Sequence, residues 1–103
     1  MIPNSVRVSG LDYQVEEKPF VQIGESKDYL GCCSYSTTTI ELLDSMSDDR
    51  KEQVFVHELT HAIFNEAGYD QHEEDMINRV AIVLYQVLKD NEFHFNEHEG
   101  ETE

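Results

Sequence analysis

The segment from Val54 to Ala67 carries His57-Glu58-Leu59-Thr60-His61, an H-E-x-x-H pattern set in a nearly continuous apolar stretch. The spacing needs a helix. Histidines four apart lie about one helical turn from each other on the same face, where both imidazoles reach one metal ion. On a helical wheel Phe55, Val56, Leu59, Ala62, Ile63, Phe64 and Ala67 cover most of the circumference, and Asn65 shares a polar stripe with His57, Glu58 and His61. A helix apolar nearly all round is a buried one. The three polar residues are therefore expected to be enclosed and to need partners, which a metal ion supplies.

Glu58 is rotated by about 100° from His57 and falls beside the metal rather than on it. There a carboxylate takes a proton from a zinc-bound water, whose pKa the metal lowers to roughly 7, and hands it to a leaving amine. The pattern thus implies Zn2+ held by His57 and His61, with Glu58 as general base.

The rest of the chain narrows the setting. A length of 103 residues fits one domain and excludes a two-domain protease. No run of eighteen apolar residues occurs, and Met1-Ile2-Pro3-Asn4 has neither a basic nor an apolar signal region. A cytoplasmic protein is the expectation. The only cysteines, Cys32 and Cys33, are adjacent, so in a strand they point to opposite faces and read as reduced thiols rather than as a disulfide. As a zinc-ligand pair they lack the usual two-residue spacer. The net charge of −15 repels nucleic acid and anionic membranes and attracts basic protein segments.

Alternation in Val6-Arg7-Val8 and Tyr13-Gln14-Val15 around Ser9-Gly10-Leu11-Asp12 predicts an N-terminal hairpin ended by Pro19. Phe20 to Ile23 reads as a short extended segment before a loop, Gly24 to Lys27. Tyr29 to Tyr35 and Thr38 to Leu42 predict two more strands. Ser45 to Asp49 supply capping residues and acids for a helix over about 48–67, stopped by Gly68. Met76, Ile77, Val80, Ala81, Leu84, Val87 and Leu88 predict a second helix over about 73–89. The expected fold is α+β: a small, mostly antiparallel sheet of three or four strands packed on the active-site helix and a second, C-terminal helix. Residues 1–90 read as the domain and 91–103 as an acidic, flexible tail.

Catalytic zinc usually has a third protein ligand. His72, Glu73, Glu74 and Asp75 at the start of the second helix are candidates, and His94 and His98 in the tail are weaker ones. Spacing alone does not choose among them. Tyr69, His72 and Tyr85 are the candidates for stabilising an oxyanion, and Asn65 is a polar neighbour of the cleft.

The pattern His57-Glu58-Leu59-Thr60-His61-Ala62 followed by Glu74 to Ala81 resembles the core of the zincin metallopeptidases. Within them it is most similar to the ImmA/IrrE-like group and its short phage relatives. In that group a glutamate follows the active-site helix, with a small or apolar residue three positions later and then Asn, any residue, an apolar residue and Ala. Ile77, Asn78, Arg79, Val80 and Ala81 match these places, and the resemblance puts Glu74 in the ligand position. It covers roughly residues 29–90. Larger members carry further helices before the sheet and more chain after the second helix. The resemblance implies an edge strand over the helix that receives an extended peptide, and a basic repressor-like protein as partner. Two alternatives stand beside a zinc peptidase: an acidic, non-enzymatic binding protein with a structural metal that sequesters a basic partner, and a hydrolase of small amides.

Overall fold

The computed structural model describes residues 2–93 and 95. Six strands precede two helices: β1 (Ser5–Val8), β2 (Leu11–Lys18), β3 (Val21–Ile23), β4 (Ser26–Tyr29), β5 (Gly31–Ser34), β6 (Thr39–Leu43), α1 (Asp48–Glu66) and α2 (Glu74–Asp90). The fold is α+β, with a four-stranded sheet ordered β1-β2-β6-β5 and a separate β3-β4 ribbon. His94 and His98 lie outside the described residues, as does most of the predicted acidic tail.

The first hairpin is tighter than its sequence suggests. Val8 pairs with Leu11, and Ser9 and Gly10 alone make the turn with φ of 54° and 87°. Two positive φ values in a two-residue loop match the twist of the flanking strands, so Leu11 and Asp12 join β2. The sheet is mixed: β1-β2 and β5-β6 are antiparallel, whereas β2-β6 is parallel because the chain travels through β3, β4 and β5 before returning beside β2. The predicted loop from Gly24 to Lys27 shrinks to Gly24 and Glu25. Ser26 and Lys27 belong to β4, whose residues are all exposed, so no apolar alternation marked it as a strand. Lys27 instead places its ammonium 4.8 Å over the Phe20 ring.

Alternation in β6 aims Ile40 and Leu42 at α1, where they meet Phe55, Val56, Leu59 and Ala62 around the buried ring of Tyr13. The Tyr13 hydroxyl donates to Glu66 Oε2 at 2.6 Å, tying β2 to the end of α1. The Ser47 hydroxyl accepts the Arg50 N–H at 3.3 Å and caps α1. At the other end, Gly68 N–H donates to Asn65 O at 3.0 Å and Tyr69 N–H to Phe64 O at 2.9 Å. This is the Schellman pattern, and Gly68 takes the left-handed conformation it needs at φ 104°. The chain reverses there, and α2 packs back along α1. Glu52 of α1 accepts from Tyr85 and Lys89 of α2 at 3.0 and 2.8 Å, fastening the pair.

Both helices are less enclosed than their apolar patterns predict. Ile63 and Ala67 of α1 face solvent, and of the apolar positions of α2 only Ile77 and Ala81 are fully buried. Among the described residues nothing covers the remaining faces.

Gly31 fixes how closely β5 approaches α1. A Cβ there would stand 2.7 Å from Val54 Cγ1 and 3.1 Å from the Glu41 carbonyl oxygen, so any side chain forces the edge strand away from the helix. Gly31→Ala is expected to destabilise the metal-free protein by about 1–3 kcal/mol, the usual cost of overpacking. Thermal denaturation against wild type checks it.

Candidate metal centre

His57 and His61 occupy successive turns of α1, and the reversal at Gly68 brings Glu74, the first residue of α2, across from them. His57 Nε2 lies 3.8 Å from Glu74 Oε1, and His61 Nε2 lies 3.4 Å from Glu74 Oε2. One ligand atom from each of the three residues falls within 4.8 Å of the others. Ligands bonded at about 2.0–2.1 Å around tetrahedral zinc stand roughly 3.3 Å apart, so the three donors are spaced to close on one ion with little movement. Glu73 instead occupies the N-cap position of α2, and Asp75 pairs with Arg79 at 2.9 Å.

His72 stands behind the site rather than in it. Its Nε2 is 2.6 Å from the Tyr69 carbonyl oxygen, and its Nδ1 is 2.7 Å from His61 Nδ1. A carbonyl only accepts, so His72 Nε2 carries a proton. When the His72 ring carries that one proton only, its Nδ1 accepts and His61 Nδ1–H donates to it. This leaves a bare lone pair on His61 Nε2, the atom facing the Glu74 carboxylate. In that tautomer two acceptors face each other, an arrangement that a cation between them would satisfy. Burial, and to a lesser degree His57 and His72, push the His61 pKa down against the pull of Glu74, which keeps the ring neutral as a metal ligand must be. The donor set fits zinc.

Glu58 points between α1 and the sheet and is only 9 % exposed. Burial first, and the Glu74 carboxylate second, raise its pKa to about 7. A carboxyl poised there both accepts and returns a proton near neutrality. Tyr35, just past the end of β5, lines the same cavity as His57, Glu58, His61 and Glu74. Burial, followed by nearby Cys33, Glu58 and Glu74, pushes its hydroxyl up to about 12, so it stays a neutral donor.

The sequence-based oxyanion candidates have other roles. Tyr69 is 63 % exposed and contributes its carbonyl to His72, His72 orients His61, and Tyr85 donates to Glu52. Asn65 contributes its carbonyl to the turn that ends α1. Cys32 and Cys33 are free thiols: Cys32 Sγ lies 3.8 Å from Glu41 Oε1, and Cys33 packs against the core. Burial raises both, to about 11 and 12.

Two clefts meet at the site. One of about 640 Å³ runs between the start of β5, α1 and α2, and one of about 370 Å³ lies toward Ile23, Tyr29 and Tyr35. Gly31, His57 and Glu58 line both. Among the described residues β5 pairs with β6 alone. Leu43 N–H donates to Leu30 O at 2.9 Å, which sets the phase of the antiparallel ladder. Cys32 and Ser34 therefore bond inward, while the main-chain groups of Gly31 and Cys33 face outward over the junction.

Two outcomes follow. His72→Phe is expected to weaken zinc binding by 10–100-fold, as loss of a ligand's supporting hydrogen bond does, with His72→Gln, which keeps an acceptor, restoring part of it; competition with a chromophoric chelator measures both. In the chelated protein the raised Glu58 pKa means stability is full below the unfolded value of 4.5 and is lost as pH rises through about 7. Glu58→Gln is therefore expected to stabilise the metal-free protein at pH 8, by up to about 3 kcal/mol, and to have little effect at pH 4. Urea unfolding at the two pH values reads the difference. No family model, curated protein or solved structure matches this chain.

Proposed function

We propose that this protein is a zinc-dependent peptidase acting on a protein substrate. The observation that carries the reading is the convergence of His57, His61 and Glu74 beside a buried Glu58 carboxyl, at the junction of two clefts. When bound, zinc supplies Lewis acidity toward water and the scissile carbonyl. His57, His61 and Glu74 would hold it, and the His61–His72–Tyr69 chain keeps the His61 lone pair aimed at it.

Glu58 takes the proton of the attacking water and delivers it to the leaving nitrogen. Tyr35 is positioned as the neutral donor to the developing oxyanion. The outward main-chain groups of Gly31 and Cys33 hold an extended peptide as an added strand across Glu58. The resemblance to ImmA/IrrE-like proteins and the net charge of −15 both favour a basic protein, such as a repressor, as the source of that peptide.

A non-enzymatic acidic binding protein has no use for a buried carboxyl beside the metal donors, or for open clefts leading to it. The test is zinc content together with cleavage of basic repressor-like proteins. One zinc per chain is expected in wild type and in Glu58→Gln, with weakened binding in His57→Ala and Glu74→Ala, and cleavage lost in all three variants. Full cleavage by Glu58→Gln, or wild type that takes up no zinc, contradicts the reading. No described helix is long and apolar enough to cross a membrane; cytoplasmic localisation is part of the proposal.

A further inference from the structure

The cations of this chain are almost all neutralised where they stand. Arg7 pairs with Asp12, Lys18 with Glu16, Lys51 with Glu17, Arg79 with Asp75 and Lys89 with Glu52, while Lys27 lies over Phe20. Arg50 is the seventh, and among the described residues its guanidinium has no partner, although the chain carries 22 acids. Its backbone N–H donates to the Ser47 cap at 3.3 Å, and its side chain makes no hydrogen bond among the described residues. Nothing local to α1 favours a cation at that position, because the first turn of a helix stabilises anions.

Arg50 is exposed and lines the larger cleft, the one that opens onto His57 and Glu58. Seven residues separate it from His57, which places the two on one face of α1, two turns and about 10 Å apart. An extended peptide covers that distance in about three residues. Between them the cleft wall is largely apolar, with Leu30, Val54, Ala81 and Ile82 facing it. The groove continues past the junction toward Ile23 and Tyr29, so a chain lying in it extends to both sides of Glu58.

We infer that Arg50 is a specificity determinant that binds an aspartate or glutamate side chain of the substrate, about three residues from the bond held over His57 and Glu58. The inference rests on the peptidase reading and names the feature its substrate carries. The global negative field disfavours acidic peptides, so an acid is accepted only where the guanidinium meets it. A basic protein with one acid beside a short apolar segment satisfies both conditions.

The test uses neutral nonapeptides, fluorescently labelled at the N-terminus and amidated at the C-terminus, with a single glutamate or glutamine moved along the chain. A second series lacks any acid but has a free C-terminal carboxylate. Binding is read by fluorescence anisotropy on zinc-loaded Glu58→Gln protein, and kcat/KM is measured on zinc-loaded wild type. Glutamate is expected to be preferred over glutamine by about tenfold, at positions about three residues from the cleaved bond, as for a charge-assisted hydrogen bond at a partly open site.

The preference should shrink with added salt, collapse in Arg50→Gln, survive in part in Arg50→Lys and invert toward lysine in Arg50→Glu. Far-UV circular dichroism verifies that the exposed substitutions leave the fold intact. Equal binding of glutamate and glutamine peptides at every position overturns the inference. A preference that persists in Arg50→Gln, or one seen only for the free C-terminal carboxylate, does the same. Discrimination in binding without any cleavage by wild type contradicts the peptidase reading but leaves the Arg50 assignment standing; cleavage without discrimination does the reverse.

Discussion

The two hydrogen bonds that close α1 at Gly68 decide what stands opposite His57 and His61. By ending the helix at a left-handed residue, they turn the chain back within a few residues and present the Tyr69 carbonyl to His72. That carbonyl holds His72 through its Nε2, His72 in turn contacts His61 Nδ1 at 2.7 Å, and the same reversal delivers Glu74 opposite both imidazoles. A helix cap and the geometry of a candidate metal site are thus one construction. The H-E-x-x-H spacing alone supplies two donors without fixing which nitrogen of either ring is free.

A second constraint acts from the sheet. β5 lies against α1 at a distance only a glycine permits, and Gly31 lines both clefts together with His57 and Glu58. Burial is the larger cause of the raised Glu58 pKa. The domain achieves this with few elements, at the cost of apolar faces on both helices that remain open to solvent.

Helix positions were the most legible part of the sequence, because Ser47, Gly68 and the apolar periodicities each carry a local physical reason. The α+β class and the strands at Val6, Tyr13, Cys32 and Ile40 were legible for the same reason. β4 was not, since Ser26-Lys27-Asp28-Tyr29 is exposed throughout and shows no alternation. Nor was the parallel β2-β6 pairing, which depends on a return path no local signal records. At the site, His57, Glu58 and His61 were readable from spacing, and Glu74 only through the resemblance. His72 was visible as a candidate ligand but not as the partner of His61 Nδ1, which needs coordinates. Tyr35 lies 22 residues before His57, and no sequence signal sets Arg50 apart from the other six cations; its lack of a partner among the described residues does.

The central claim is that His57, His61 and Glu74 form a zinc site whose remaining position faces Glu58. X-ray absorption at the zinc edge of the metal-loaded protein tests it most directly. The account predicts a four-coordinate first shell of nitrogen and oxygen near 2.0–2.1 Å, with the outer scattering of two imidazoles and no sulfur. A sulfur shell near 2.3 Å, which only Cys32 or Cys33 or a methionine could supply, or a shell of oxygens without imidazole, would contradict it.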